Sequence, residues 1–100
     1  MTERPVAFHP DAVTEARAAF EWYQARNERA AGLFLAELDL AIEHIAETPE
    51  RWPLYLRGTR RFLLRRFPFA VVYRQVAETF QIVAVAHGRR KPGYWKERGR

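Results

Sequence analysis

The residues best equipped for chemistry form one run, His87-Gly88-Arg89-Arg90, followed closely by Lys91, Tyr94 and Trp95. An imidazole that titrates near neutral pH, set beside permanently charged guanidinium groups, can move a proton and stabilise an anion. That set suits phosphodiester cleavage without metal, in which a ribose 2′-OH attacks phosphorus and cations meet the charge of the phosphorane. On this reading His87 carries the proton and Arg89 and Arg90 form the clamp. The same residues read equally well as a strand end with solvated arginines. Other chemistries have less to work with. His9, His44 and His87 are scattered without an HxxxH pair and there is no cysteine, so neither a metal site nor a disulfide is expected. Gly-rich phosphate loops and serine elbows are absent, and Thr2, Thr14, Thr48, Thr59 and Thr79 are the whole supply of aliphatic hydroxyls. Covalent catalysis therefore lacks a nucleophile, and no cofactor is expected.

Charge is strongly segregated. Residues 1–50 hold 4 Lys+Arg against 10 Asp+Glu, whereas residues 51–100 hold 13 against 2. Clustered cations raise the local potential and speed encounter with anions, so the second half reads as a surface for an acidic or polyanionic partner, or as basic strands offsetting acidic helices. Arg60, Arg61, Arg65 and Arg66 flank Phe62, Leu63 and Leu64, and strand alternation would send them to both faces. That spread argues against a single stripe for direct nucleic-acid binding. Tyr94 and Trp95 could stack on bases or pin the tail to the sheet, the second reading fitting the large area an aromatic buries.

These residues must be positioned by one domain, since 100 residues at 48% hydrophobic and 29% charged suffice for a single core. No apolar run is long enough to span a bilayer, and Met1 to Pro5 lack the apolar stretch of a secretory signal. With zero cysteines, these features lead to an expected cytoplasmic location.

Pro5-Val6-Ala7-Phe8 is a short strand-like run, and His9-Pro10-Asp11 starts a helix that ends near Arg26, with Val13, Ala16, Phe20 and Tyr23 inward and Trp22 at the edge of the stripe. A second helix runs from about Glu28 to Glu47 with Ala31, Phe34, Leu35, Leu38, Ala41, Ile42 and Ile45 inward, and the short link at Asn27 makes the two an antiparallel hairpin. Thr48-Pro49 stops it, and 50–55 reads as an extended connector. Three strands follow, Arg60 to Phe67, Phe69 to Val76 and Phe80 to Ala86, with Pro68 at a corner and Ala77-Glu78-Thr79 closing a hairpin. The expected fold is α+β, with the helix hairpin on one face of a three- to four-stranded, mainly antiparallel sheet. Both alternating sets of the last strand, Phe80/Ile82/Ala84/Ala86 and Val83/Val85, are apolar, so the face away from the helices must be covered by the tail, by a second copy or by another chain. Gly99 and Arg100 are expected to fray.

The phrases Arg65-Arg66-Phe67-Pro68-Phe69-Ala70-Val71-Val72-Tyr73-Arg74 and Ile82-Val83-Ala84-Val85-Ala86-His87-Gly88-Arg89-Arg90-Lys91-Pro92, with Trp95, resemble the RelE/ParE superfamily of type II toxins, on the ParE side. The resemblance spans nearly the whole chain. It implies a bacterial toxin that forms a hetero-oligomer with a cognate antitoxin, touching DNA only through that antitoxin and no membrane. ParE-like members inhibit DNA gyrase without cutting anything, whereas RelE-like members cut mRNA on the ribosome. Where the nucleases carry basic strand residues and a middle-strand arginine, this chain has Leu63, Leu64 and Ala70, which favours the gyrase branch. The residues expected to meet antitoxin or target are Arg60, Arg61, Arg65, Arg66, Arg74, His87, Arg89, Arg90, Tyr94 and Trp95.

Overall fold

A computed structural model describes residues 5–98, as six regular elements. Strand β1 (Val6–Phe8) leads into helices α1 (Pro10–Arg26) and α2 (Glu28–Glu47), and strands β2 (Arg60–Leu63), β3 (Phe69–Val76) and β4 (Thr79–His87) follow. Met1 to Arg4 and the tail end expected to fray, Gly99-Arg100, lie outside the described residues. Among the described residues no helix is long and apolar enough to cross a membrane.

Local chemistry sets the helix boundaries. His9 caps α1, its Nδ1 accepting from Asp11 N at 3.0 Å, and Pro10 occupies the first turn, where its missing N–H costs nothing. Asn27 does two jobs at once. Its backbone N–H donates to Tyr23 O and closes α1, while its side-chain oxygen accepts from Arg29 N and Ala30 N and opens α2. One residue thus folds the helices back on each other.

The sheet order is β1-β4-β3-β2. β2, β3 and β4 are antiparallel neighbours, whereas β1 joins β4 in parallel through Val6↔Phe80 to Phe8↔Ile82, so the sheet is mixed. The helices cover one face. Ala12 and Ala19 of α1 and Ala31, Phe34, Leu38, Ala41 and Ile45 of α2 are buried with Val71, Tyr73, Phe80, Ile82 and Val85 of the sheet. An aromatic cluster of Tyr23, Phe34, Phe67 and Phe69 fills one end of this core in edge-on and tilted pairs.

The structure departs from the sequence expectations at four places. First, Val13 and Leu35 are exposed at 39% and 45%, since the inward positions fall to Ala12 and Ala19 on α1 and to Ala31, Phe34, Leu38, Ala41 and Ile45 on α2. Second, β2 ends at Leu63 rather than Phe67. Leu64 N donates to Phe69 O, and the Glu37 carboxylate of α2 accepts from the backbone N–H groups of Arg65 and Arg66, so a helix side chain replaces the ladder. Third, the link after α2 is not extended but contains two 3-10 turns, Pro49–Arg51 and Leu56–Gly58, with Arg57 at φ 59° and Gly58 at φ 72°.

The fourth departure concerns β4, where strict alternation fails. The register moves from Val72↔Ala84 to Tyr73↔Ile82, which leaves Val83 as a bulged extra residue. Phe80, Ile82 and Val85 therefore face the helices, while Val83 and Ala84 pack with Val72 on the far face. Trp95 of the C-terminal tail, only 3% exposed, covers that far face together with Tyr55 and Tyr94.

Candidate functional site

Two basic turns meet at one end of the sheet. Phe69 pairs with His87, and Gly88 N donates to Pro68 O at 2.8 Å, which brings the turn at 65–68 beside the turn at 88–91. Arg65, Arg66, Arg89, Arg90 and Lys91 are all exposed there. The backbone beneath them is held firmly. Glu37 ties down the first turn, its second oxygen lying 3.6 Å from Arg66 Nε, and His87 Nδ1 accepts from Arg89 N at 3.0 Å while His87 O accepts from Arg90 N. Since that bond occupies Nδ1, a neutral His87 carries its proton on Nε2.

His87, Arg90 and Tyr94 form a ridge between two grooves. On the tail side a groove of 280 Å³ has an apolar floor that includes Leu63, Leu64, Ala70 and Val72, with Arg61, Arg90 and Lys91 on its walls and no carboxylate. On the helix side a groove of 570 Å³ runs between Ala18, Trp22 and Tyr23 of α1 and Phe69 and Val85 of the sheet. Trp22 is 53% exposed on its wall, with the Arg26 guanidinium 3.8 Å from its ring centre.

The edge of β4 beyond β1 is closed by side chains. Glu15 of α1 accepts from Val85 N at 3.0 Å, from Tyr94 OH at 2.7 Å and from Arg98 at 2.9 Å, and Arg98 also donates to Val83 O at 3.3 Å. A carboxylate and a guanidinium thus take the hydrogen bonds that a further strand would take, which protects the edge from pairing with other chains. Burial, the bond to Glu15 and the charge of Glu15 push the Tyr94 hydroxyl well above the ordinary tyrosine range against the opposing pull of Arg98 and Arg90. Burial pulls Arg98 down, but Glu15 outweighs it, so the guanidinium is held even more firmly charged than usual.

A family model for the "ParE toxin of type II toxin-antitoxin system, parDE" matches residues 6–92. The chain belongs to the ParE toxin family. Ten chains of solved structures match it, among them one from the chromosomal ParDE system of P. aeruginosa, at TM-score 0.75 and 16% identity, covering 85% of this chain and 96% of that one. At that identity the likeness speaks for the fold, which is the same two helices on a four-stranded sheet. No curated protein matches the chain.

Within this ParE-family fold, the ten residues singled out from sequence separate into two groups. Arg65, Arg66, Arg89 and Arg90 stand on the two adjoining turns at the sheet end, and His87 and Tyr94 flank them on the ridge. Four others are held by neighbouring groups, two of them, Arg61 and Trp95, within the tail-side groove. Arg60 donates to Trp52 O at 2.6 Å, Arg61 lies 4.1 Å from the Tyr55 ring centre, Arg74 bonds Gln81, and Trp95 is buried. His9 is a helix cap and His44 stacks on Phe62, and no group of three potential metal ligands exists among the described residues. Sequence reasoning missed Glu15, Glu37 and Arg98. Glu15 had a signal, because it shares a helical face with Ala12 and Ala19; Arg98 had none, since its partners lie 83 and 15 residues away in the chain.

Proposed function

We propose that this ParE-family toxin acts by binding rather than by cutting: it inhibits DNA gyrase in the bacterial cytoplasm and is held inactive by a cognate antitoxin. The observation that carries the reading is the lining of the tail-side groove, where Leu63, Leu64, Ala70 and Val72 accompany His87 and its neighbouring cations. Apolar side chains cannot stabilise a phosphorane, and His87 stands beside no second histidine or carboxylate in that groove. The two grooves and the charge of the ridge support an antitoxin segment that is both apolar and acidic, with carboxylates set against Arg65, Arg66, Arg89 or Arg90. Purified protein added to a gyrase supercoiling assay is expected to stop supercoiling and to accumulate cleaved complex. Unaffected supercoiling would refute the reading, and codon-specific transcript cleavage in a translation extract, lost in His87→Ala, would replace it with a RelE-like nuclease.

A further inference from the structure

We propose that the cationic end of the sheet binds the phosphate backbone of duplex DNA directly and without sequence preference. This goes beyond gyrase inhibition and does not depend on it. Strand alternation alone would scatter the arginines over both faces, but the tertiary fold undoes that scatter by turning the chain at 65–68 and 88–91 side by side. Five exposed cations, Arg65, Arg66, Arg89, Arg90 and Lys91, then stand on two adjoining turns.

Their charges are available. Among the described residues Arg65, Arg89 and Lys91 make no ion pair, and Arg66 has Glu37 at 3.6 Å, whose other oxygen is committed to backbone N–H groups. No carboxylate lines the groove between the two turns. The two helix carboxylates that reach this end are both engaged, Glu37 by the backbone of the first turn and Glu15 by Val85, Tyr94 and Arg98, so the surplus of cations draws a polyanion here. Guanidinium forks pair with phosphate oxygens in a bidentate way, and because the turns are already pinned by Glu37, Pro68 O and His87, little ordering is needed on binding.

Duplex DNA fits better than an unpaired strand. Single strands are gripped through aromatic platforms, and near this sheet end Trp95 is buried, the ring of Tyr94 lies under Arg90 at 3.8 Å and Arg98 at 5.1 Å, and the exposed ring of Trp22 is occupied by Arg26 at 3.8 Å. Turns also supply no helix to enter a groove and read base edges, which leaves contact with phosphates. An antitoxin carboxylate segment and DNA would then compete for the same cations.

The test is fluorescence anisotropy of the full-length protein with a labelled duplex of about 25 base pairs, titrated between about 50 and 200 mM salt. Binding is expected at the low end, with log K falling linearly in log salt at a slope of about −2 to −4, as for two to four phosphates. Arg65→Ala/Arg66→Ala and Arg89→Ala/Arg90→Ala should each flatten the slope by about 1 to 2, while Arg17→Ala/Arg29→Ala on the helices leaves it unchanged. Arg89→Lys/Arg90→Lys, checked like the others for native circular dichroism, should keep the slope. Absence of binding at low salt, equal slopes in all variants, or tighter binding of single-stranded RNA than of duplex would each overturn the proposal. The gyrase assay is scored separately: DNA binding without gyrase inhibition sinks the proposed function alone, and inhibition without DNA binding sinks this inference alone.

Discussion

The two faces of the sheet are built differently. The helix face is covered by two long helices and a cluster of four aromatic rings, whereas the far face rests on one tryptophan, two tyrosines and a tail tied down mainly at Glu15, with Asp11 3.5 Å from Arg98 as a second carboxylate. Apolar contact on the first is broad and redundant. On the second it is narrow, and polar bonds at Glu15 stand in for missing area. The lesson is that global stability and a removable cover can be assigned to opposite sides of one small sheet, because buried area adds up gradually while a hydrogen-bonded hub can open as a unit.

The largest effect should come from breaking the helix face. Phe34→Ala is expected to cost about 3–5 kcal/mol and to leave a mostly unfolded chain, since Phe34 is fully buried among three other rings. Trp95→Ala, at an equally buried ring on the far face, is expected to cost about 2–3 kcal/mol, because the tail can move off and hydrate instead of leaving a cavity. Urea midpoints measure both, and equal losses would erase the contrast drawn between the faces.

A smaller loss isolates the hub. Glu15→Gln puts an amide where Val85 N, Tyr94 OH and Arg98 all need an acceptor, with an expected cost of about 1–3 kcal/mol. Amide exchange should accelerate at Val85 far more than at Val71, which lies in the helix-side core. Uniform acceleration across both would mean that the tail and the core open together.

The smallest effect is a matter of pH. Burial pushes the Tyr73 hydroxyl, which donates to Pro49 O, up to about 12 from 10.0, with Glu50 adding to the rise and Arg60 opposing it. The fold thus favours the protonated form, so the contribution of Tyr73 is complete below about pH 10 and is lost as pH climbs from there toward about 12, where the unfolded chain has released its proton and the folded one has not. Tyr94 on the far face is shifted in the same direction. Unfolding midpoints should fall over that interval, and Tyr73→Phe should make the fall shallower. A decline unaltered in that variant would assign the alkaline loss to the far face.

Much of the fold was legible because it follows from short-range rules. The helix start at His9-Pro10-Asp11, the break at Asn27, the stop at Thr48-Pro49, the helical stripe of α2 and the β-rich runs after Gly58 are all local signals, and together they specify two helices on a mainly antiparallel sheet. The six ridge and turn residues were also visible by type, from arginines and a histidine at strand ends. The boundary of β2 was not, since it depends on Glu37 reaching across 28 residues to Arg65. The bulge at Val83 was hidden too, because an apolar run reads the same with or without one extra residue in its ladder.

By itself, then, the sequence determined the elements, their order, the separation of charge along the chain and the resemblance to ParE toxins, all of which depend on neighbours a few residues apart. Only the tertiary structure decided which arginines share a surface, that Trp95 covers the far face, and that Glu15 binds both an open strand edge and the tail. Those outcomes rest on contacts between residues far apart in the chain, and no local pattern records which distant partners a packed core will bring within hydrogen-bonding range.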